Sequence, residues 1–359
     1  MSILKKRLSS YDRFKPFAKK QAKIPLPFTP SNIAVNSKIN KIYATGNRNQ
    51  LAIINGRTNR IVKQLNVGPS PAVIAINQRN NFVYVGNSVR RTVSVIHGKT
   101  NRLIKTIRLR GLPADIKINN NTNRVYISTF NSFGTNGVTV VNGCSNKIVS
   151  FIRIPNDFAG PLAVNPVTNR IYALGVLGNN VYVINGAVNR IISRINVSFS
   201  NLDDPTAIEV NPVTNRIYVL NLVGNRLVVI NGMTNRVIKV VKFNNPIFAF
   251  AINPATNRIY VTIQRPSPAV VVLSGLTNRR IAVVPTGGVD VIIVDKKRNF
   301  IFVGNNAVTA ITGRNNKPFA NIVVGGVVAM AVNMCTGVLY TANSNRTIAV
   351  IKTGFKLKR

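Results

Sequence analysis

The sequence predicts an all-β fold made of repeated four-stranded antiparallel units, on three observations. Between Asp204 and Phe243, four short runs rich in Val, Ile and Tyr alternate with breaks rich in Asn, Gly and Pro. The first kind of residue suits a pleated, half-buried surface and the second kind suits turns. An aromatic residue in the second run recurs as Tyr43, Tyr84, Tyr126, Tyr172, Tyr218, Tyr260, Phe302 and Tyr340, at intervals of 38 to 46 residues. A glycine after the third run recurs in the same phase as Gly56, Gly98, Gly143, Gly186, Gly232, Gly275, Gly313 and Gly354. One four-stranded meander leaves both its faces uncovered, so it needs copies of itself on either side. Units of about 42 residues packed face to face around an axis are the pattern of a β-propeller.

The turns carry a resemblance to a family. Asn165-Pro-Val-Thr-Asn-Arg-Ile-Tyr172, Asn211-Pro-Val-Thr-Asn-Arg-Ile-Tyr-Val219 and Asn253-Pro-Ala-Thr-Asn-Arg-Ile-Tyr-Val261 are each followed by a Val-Ile-Asn-Gly-like turn. This resembles the YVTN-type β-propeller repeat of bacteria and archaea, over residues of about 30 to 354. The resemblance implies an architecture more than a function, because such propellers serve as surface-layer modules, periplasmic binding proteins and scaffolds. The chain departs from the family pattern by placing Asn55, Asn142, Asn185 and Asn231 where an aspartate usually precedes the glycine.

Taken in order, residues 1–19 stand outside the repeat as a basic N-terminal arm. Leu4, Leu8, Tyr11, Phe14 and Phe17 lie three or four apart, the spacing of an amphipathic helix, and a solvated arm is the alternative. Residues 20–28 align with the fourth run of the first repeat. Pro25 and Pro27 are compatible only with an edge strand, which is what the outermost strand of a blade is. The last repeat has three runs and no fourth, so residues 20–28 are expected to complete it and to close the ring. That favours eight blades over seven, the number common in the family. The blades are expected at 31–68, 70–111, 112–156, 157–200, 203–244, 245–287, 288–326 and 327–354, as one domain spanning 20–354 with a basic tail at 355–359.

Composition bounds the function. Lys and Arg number 48 against 8 Asp and Glu, a formal net charge of +40, so internal ion pairs cannot neutralise the surface. Cys144 and Cys335 fall several blades apart, which argues against a disulfide. No run reaches the length of a membrane span, and lysines and arginines interrupt every apolar run of the first 30 residues. The expectation is an intracellular, cytoplasmic protein, with association to a particle or spore as a further option.

The basic residues are placed periodically. In a four-stranded meander the first-to-second and third-to-fourth turns emerge at the same end. Arg124, Arg170, Arg216 and Arg258 follow the first of these turns, and Arg60, Arg102, Lys147, Arg190, Arg236 and Arg279 follow the second. Together they are expected to form two concentric circles of cations on one face, suited to nucleic acid or another polyanion. Their repetition with the blades, and the absence of a recognition-helix or zinc-finger pattern, point to non-specific binding. The alternative is a structural or protein-interaction scaffold in a particle, spore or envelope layer, with an acidic protein partner.

An enzyme is the weakest reading, and no metal or cofactor is expected. The single histidine, His97, stands where other repeats have Asn before the turn glycine. Asp203 and Asp204 read as a turn before the fifth blade, and Lys117 and Glu209 as candidates for a channel-mouth site. The Asn-Gly steps at Asn55, Asn142, Asn185 and Asn231 are expected to deamidate slowly.

Overall fold

A computed structural model of the chain describes residues 14–131, 136–199, 204–264 and 266–357. It contains eight four-stranded antiparallel sheets, each a simple meander, arranged as the blades of a β-propeller. Blade 5 is typical, with strands Pro205–Asn211, Arg216–Asn221, Arg226–Asn231 and Arg236–Lys242. The first strand of every blade touches the first strands of both neighbours, and blade 8 touches blade 1, so the circle is closed. Among the described residues no helix is long and apolar enough to cross a membrane.

The core consists of eight apolar clusters, one in each cleft between adjacent blades. The cluster between blades 4 and 5 joins Tyr172, Leu174, Val181 and Val183 to Ile208, Ile217, Val219 and Val228, all buried. The strand period explains the repeat: in Arg-Ile-Tyr-Val, alternate side chains face opposite neighbours. Ile42 packs toward blade 8, whereas Tyr43 packs toward blade 2. The aromatic is a tyrosine in seven blades, and the Tyr84 hydroxyl donates to Asn146 Oδ1 in the third-to-fourth turn of the next blade, at 2.6 Å. Blade 7 has Phe302 instead. Its neighbour, blade 8, has no such turn, because its third strand runs on through Thr347–Leu357.

Closure differs from expectation in its boundaries. The fourth strand of blade 8 is Phe14–Pro25, not 20–28, and it pairs antiparallel with Thr347–Leu357 from Phe14 opposite Leu357 to Pro25 opposite Thr347. Residues 14–19 of the expected arm are therefore strand, and so are residues 355–357 of the expected tail. The helical alternative fails there because both partners have strand edges to satisfy. The remainder of the arm, residues 1–13, lies outside the described residues. Cys144 and Cys335 are free and exposed.

Candidate functional site

The face that carries the first-to-second and third-to-fourth turns is built on asparagine. The asparagine that ends the first strand of seven blades accepts backbone amides of its own turn: Asn165 Oδ1 receives Val167 N at 3.0 Å and Thr168 N at 3.4 Å. Its side-chain amide then reaches the neighbouring blade, where Asn165 Nδ2 donates to Asn215 Oδ1 at 2.8 Å. Asn215 has φ 50°, a left-handed conformation that asparagine tolerates better than most residues. The same bond joins Asn36 to Asn81, Asn77 to Asn123, Asn119 to Asn169, Asn211 to Asn257, Asn253 to Asn299 and Asn333 to Asn40. The recurrent glycine follows from this arrangement in seven blades, whereas Gly354 lies within the strand Thr347–Leu357. A methyl group on Gly232 would collide with the backbone oxygen of Asn215, 2.7 Å away, to which the Gly232 amide donates.

Seven links of this girdle are Asn to Asn, and the eighth is ionic. Blade 7 ends its first strand with Asp295, which cannot donate, and blade 8 has Gly337 at the acceptor position. Arg298 occupies the gap. Its guanidinium donates to Asp295 Oδ2 at 3.0 Å and to the carbonyls of Met334 and Cys335 at 3.4 Å. A methyl on Gly337 would lie 2.5 Å from the guanidinium carbon. The three departures from the repeat are thus one substitution in physical terms.

The predicted cations divide into two sets. Arg60, Arg102, Lys147, Arg190, Arg236 and Arg279 are exposed at the start of, or just before, the outer strands. Arg124, Arg170, Arg216 and Arg258, the expected inner circle, are half-buried. Arg216 Nη1 donates to the carbonyls of Gly275 and Leu276 in blade 6, and Arg258 Nη1 to Gly313 O and to Asn316 Oδ1 in blade 7. Lys41 makes the same reach, its Nζ 2.7 Å from Gly98 O and from Asn101 Oδ1, and burial lowers its pKa. Arg124 and Arg170 lie beside Tyr126 and Tyr172, whose phenols burial pushes up to about 12. Lys41, Arg216 and Arg258 thus clip one blade to the next. Carbonyls satisfy a guanidinium's protons without cancelling its charge, so the inner circle still contributes to the potential of the face.

The acids lie elsewhere. Asp157, Asp204 and Asp290 sit in or beside the links between blades, at the opposite face. Asp157 is 2% exposed, and its Oδ1 accepts the amides of Phe158, Leu177 and Gly178 while Oδ2 accepts the Tyr182 hydroxyl at 3.0 Å. Burial, with Asp157 alongside, pushes Tyr182 up to about 12. Asp115 and Glu209 are on first strands, facing the central axis. Asp115 pairs with Lys117 at 2.9 Å and accepts Leu162 N from blade 4 at 2.9 Å. Asp295, the one described carboxylate in the turns of the cationic face, is held by Arg298. Asp203 lies outside the described residues.

Among the described residues no ion pair joins Lys117 to Glu209, the two channel-mouth candidates. Glu209 instead accepts Ile252 N from blade 6 at 3.1 Å. Burial pushes its carboxyl up to about 7, with Lys296, Lys117 and the Ile252 amide acting in the opposite direction. Because this value lies above the ordinary 4.5, ionising Glu209 penalises the folded chain. The penalty is absent below about pH 4.5, grows up to about pH 7 and is constant above. Glu209→Gln is therefore expected to raise the melting temperature at pH 8 and to leave it nearly unchanged at pH 4. An equal effect at both would contradict this assignment.

His97 takes the turn-capping role of asparagine, its Nδ1 3.0 Å from Thr100 Oγ1. Among the described residues no three His, Cys, Asp or Glu side chains gather to hold a metal. The Asn-Gly steps are locked. Asn55 Oδ1 receives Arg57 N at 2.8 Å and the Gly56 amide donates to Asn40 O at 2.9 Å, so neither attacker nor target is free to rotate. Deamidation is expected only in the unfolded chain. Intact-mass spectra should gain about 1 Da per event after incubation in urea and stay unchanged for the native protein, whereas equal gains in both would contradict the locking.

Sequence reasoning missed the relay between blades, the Asp295–Arg298–Gly337 link and the Asp157 anchor. For the link a signal was present: Gly337 is the one repeat lacking Asn at that position, and it follows Asp295, the one repeat lacking Asn at the partner position. In comparisons with known proteins, no family model matches the chain and no curated sequence matches it.

Proposed function

We propose that the protein is a non-enzymatic binding protein whose asparagine-girdled face docks on nucleic acid or another polyanion, without reading sequence. The observation that carries this reading is the uneven distribution of charge: the opposite face also carries Arg48, Arg90, Arg91, Arg226 and Arg346 in or beside its second-to-third turns, but fewer cations than the girdled face. Cations of both turn sets crowd one end of the ring, and the only described carboxylate in those turns is already neutralised. A disc polarised in this way attracts a phosphate backbone, because each phosphate it neutralises releases condensed counterions. The exposed arginines suit bidentate phosphate contacts. The likeness of the repeats to the YVTN type rests on the same turn residues that build the girdle, so it speaks to architecture and leaves the ligand open.

The test is filter binding to single-stranded and duplex nucleic acid and to an acidic polysaccharide over a salt series. Affinity should fall linearly in log-log form, with a slope of about 0.7–0.9 per phosphate contacted. No binding to any of the three at low salt would remove the reading. A protein-interaction scaffold is the second reading, favoured by outer strands that expose Val62, Ile104, Ile192, Ile238 and Val283. Nuclease-resistant co-purification of an acidic protein would favour it.

A further inference from the structure

The closing strands continue past the blade they complete. The second strand of blade 8 stops at Val338, opposite Lys352, but the pairing of Thr347–Leu357 with Phe14–Pro25 goes on to Leu357 opposite Phe14. The result is a two-stranded ribbon beyond the end of blade 8 that carries the cationic turns. Phe355 fastens it over blade 7, its ring 4.9 Å from that of Phe300, which in turn lies 4.9 Å from Phe319.

Strand alternation sorts the ribbon into two faces. Phe14, Pro16, Ala18, Thr353, Phe355 and Leu357 share the side turned toward blade 7. On the other side stand Lys15, Phe17 and Lys19, opposite Lys356, Gly354 and Lys352 respectively. The half-buried Phe17 ring covers Gly354, where a methyl group would come within 3.2 Å of it. Lys15 and Lys19 are each two residues from Phe17, about 7 Å along the strand. The four lysines are exposed, and none forms an ion pair among the described residues.

Like charges directly opposite one another destabilise a strand pair. Two such pairs on one face of a terminal ribbon, flanking an aromatic ring, work against closure of the propeller unless an anion sits between them. An aromatic platform bordered by cations is the chemistry that holds an unpaired base with its phosphates. Building on the polyanion reading, we propose that the ribbon is a stacking site for single-stranded nucleic acid, with the Phe17 ring against a base and Lys15, Lys19, Lys352 and Lys356 on the adjacent phosphates. Duplex bases are inaccessible to such a ring, so the site selects single strands.

The chain contains no tryptophan, so Phe17→Trp introduces a unique fluorophore while keeping an aromatic platform. Poly(U) should quench its emission, and polyphosphate of matched charge should not. Phe17→Leu should weaken poly(U) binding about fivefold or more at fixed salt and leave polyphosphate binding unchanged. Circular-dichroism melting of both variants checks that the ring remains closed. Poly(U) binding to Phe17→Trp without quenching, or equal loss for both polymers in Phe17→Leu, would overturn the stacking site and leave the polyanion reading standing. Failure of the unsubstituted protein to bind either polymer would overturn both.

Discussion

Arg298→Ala should lower the stability of the propeller by about 3–5 kcal/mol, because it strands a carboxylate that has no access to water. Asp295 is fully buried, and the Arg298 side chain is only 16% exposed. Removing the guanidinium also leaves the space above Gly337 unfilled and the Met334 and Cys335 carbonyls without their shared donor. Urea denaturation of the variant measures the loss. The girdle makes a second, sharper prediction at the same place. Asp295→Asn, Arg298→Thr and Gly337→Asn together rebuild the link used by the other blades, so the triple variant should recover most of the stability that Arg298→Ala loses. A triple variant as unstable as the single one would mean that the link is not interchangeable with an Asn to Asn bond.

Asp157→Ala should be nearly as damaging, at about 3–5 kcal/mol, by a different route. Its carboxylate accepts three backbone amides and a tyrosine hydroxyl at the start of blade 4. Alanine would orphan all four donors in a site from which water is excluded. Asp157→Asn keeps the shape but presents an amide group where donors point inward, so it should lose a substantial part of the same stability. Loss near zero for either variant in thermal or urea unfolding would contradict the role assigned to Asp157 as an anchor of the link between blades 3 and 4.

The propeller was legible in the sequence because its determinants are local and repeated. The period-two runs, the phase of Tyr and Gly, and the missing fourth run of the last repeat are each visible in one dimension. The end of the closing strand was misplaced because a ribbon of two terminal segments leaves no repeat signal: nothing in Phe14 to Lys19 is copied elsewhere in the chain. Spacing located the turns that bear the cations, yet it could not reveal that Arg216 and Arg258 bend back onto carbonyls of the next blade while, among the described residues, Arg190 and Arg236 make no such bond. That distinction depends on neighbours about 55 to 60 residues away. The asparagine relay was hidden for the same reason, since the motif displays both partners but not the blade boundary between them.

The uneven distribution of charge is the central claim, and one paired measurement addresses it directly. One variant replaces Arg60, Arg102, Arg190 and Arg236 with glutamine on the girdled face, and a second replaces Arg48, Arg90, Arg91 and Arg346, exposed in the second-to-third turns of the opposite face, so each loses four charges. With poly(U) binding followed across a salt series, the first variant should bind far more weakly with a clearly shallower salt slope, and the second should stay close to the unsubstituted protein. Equal losses from the two variants would mean that the ring attracts anions through its total charge alone, and that the gathering of cations on one face is incidental.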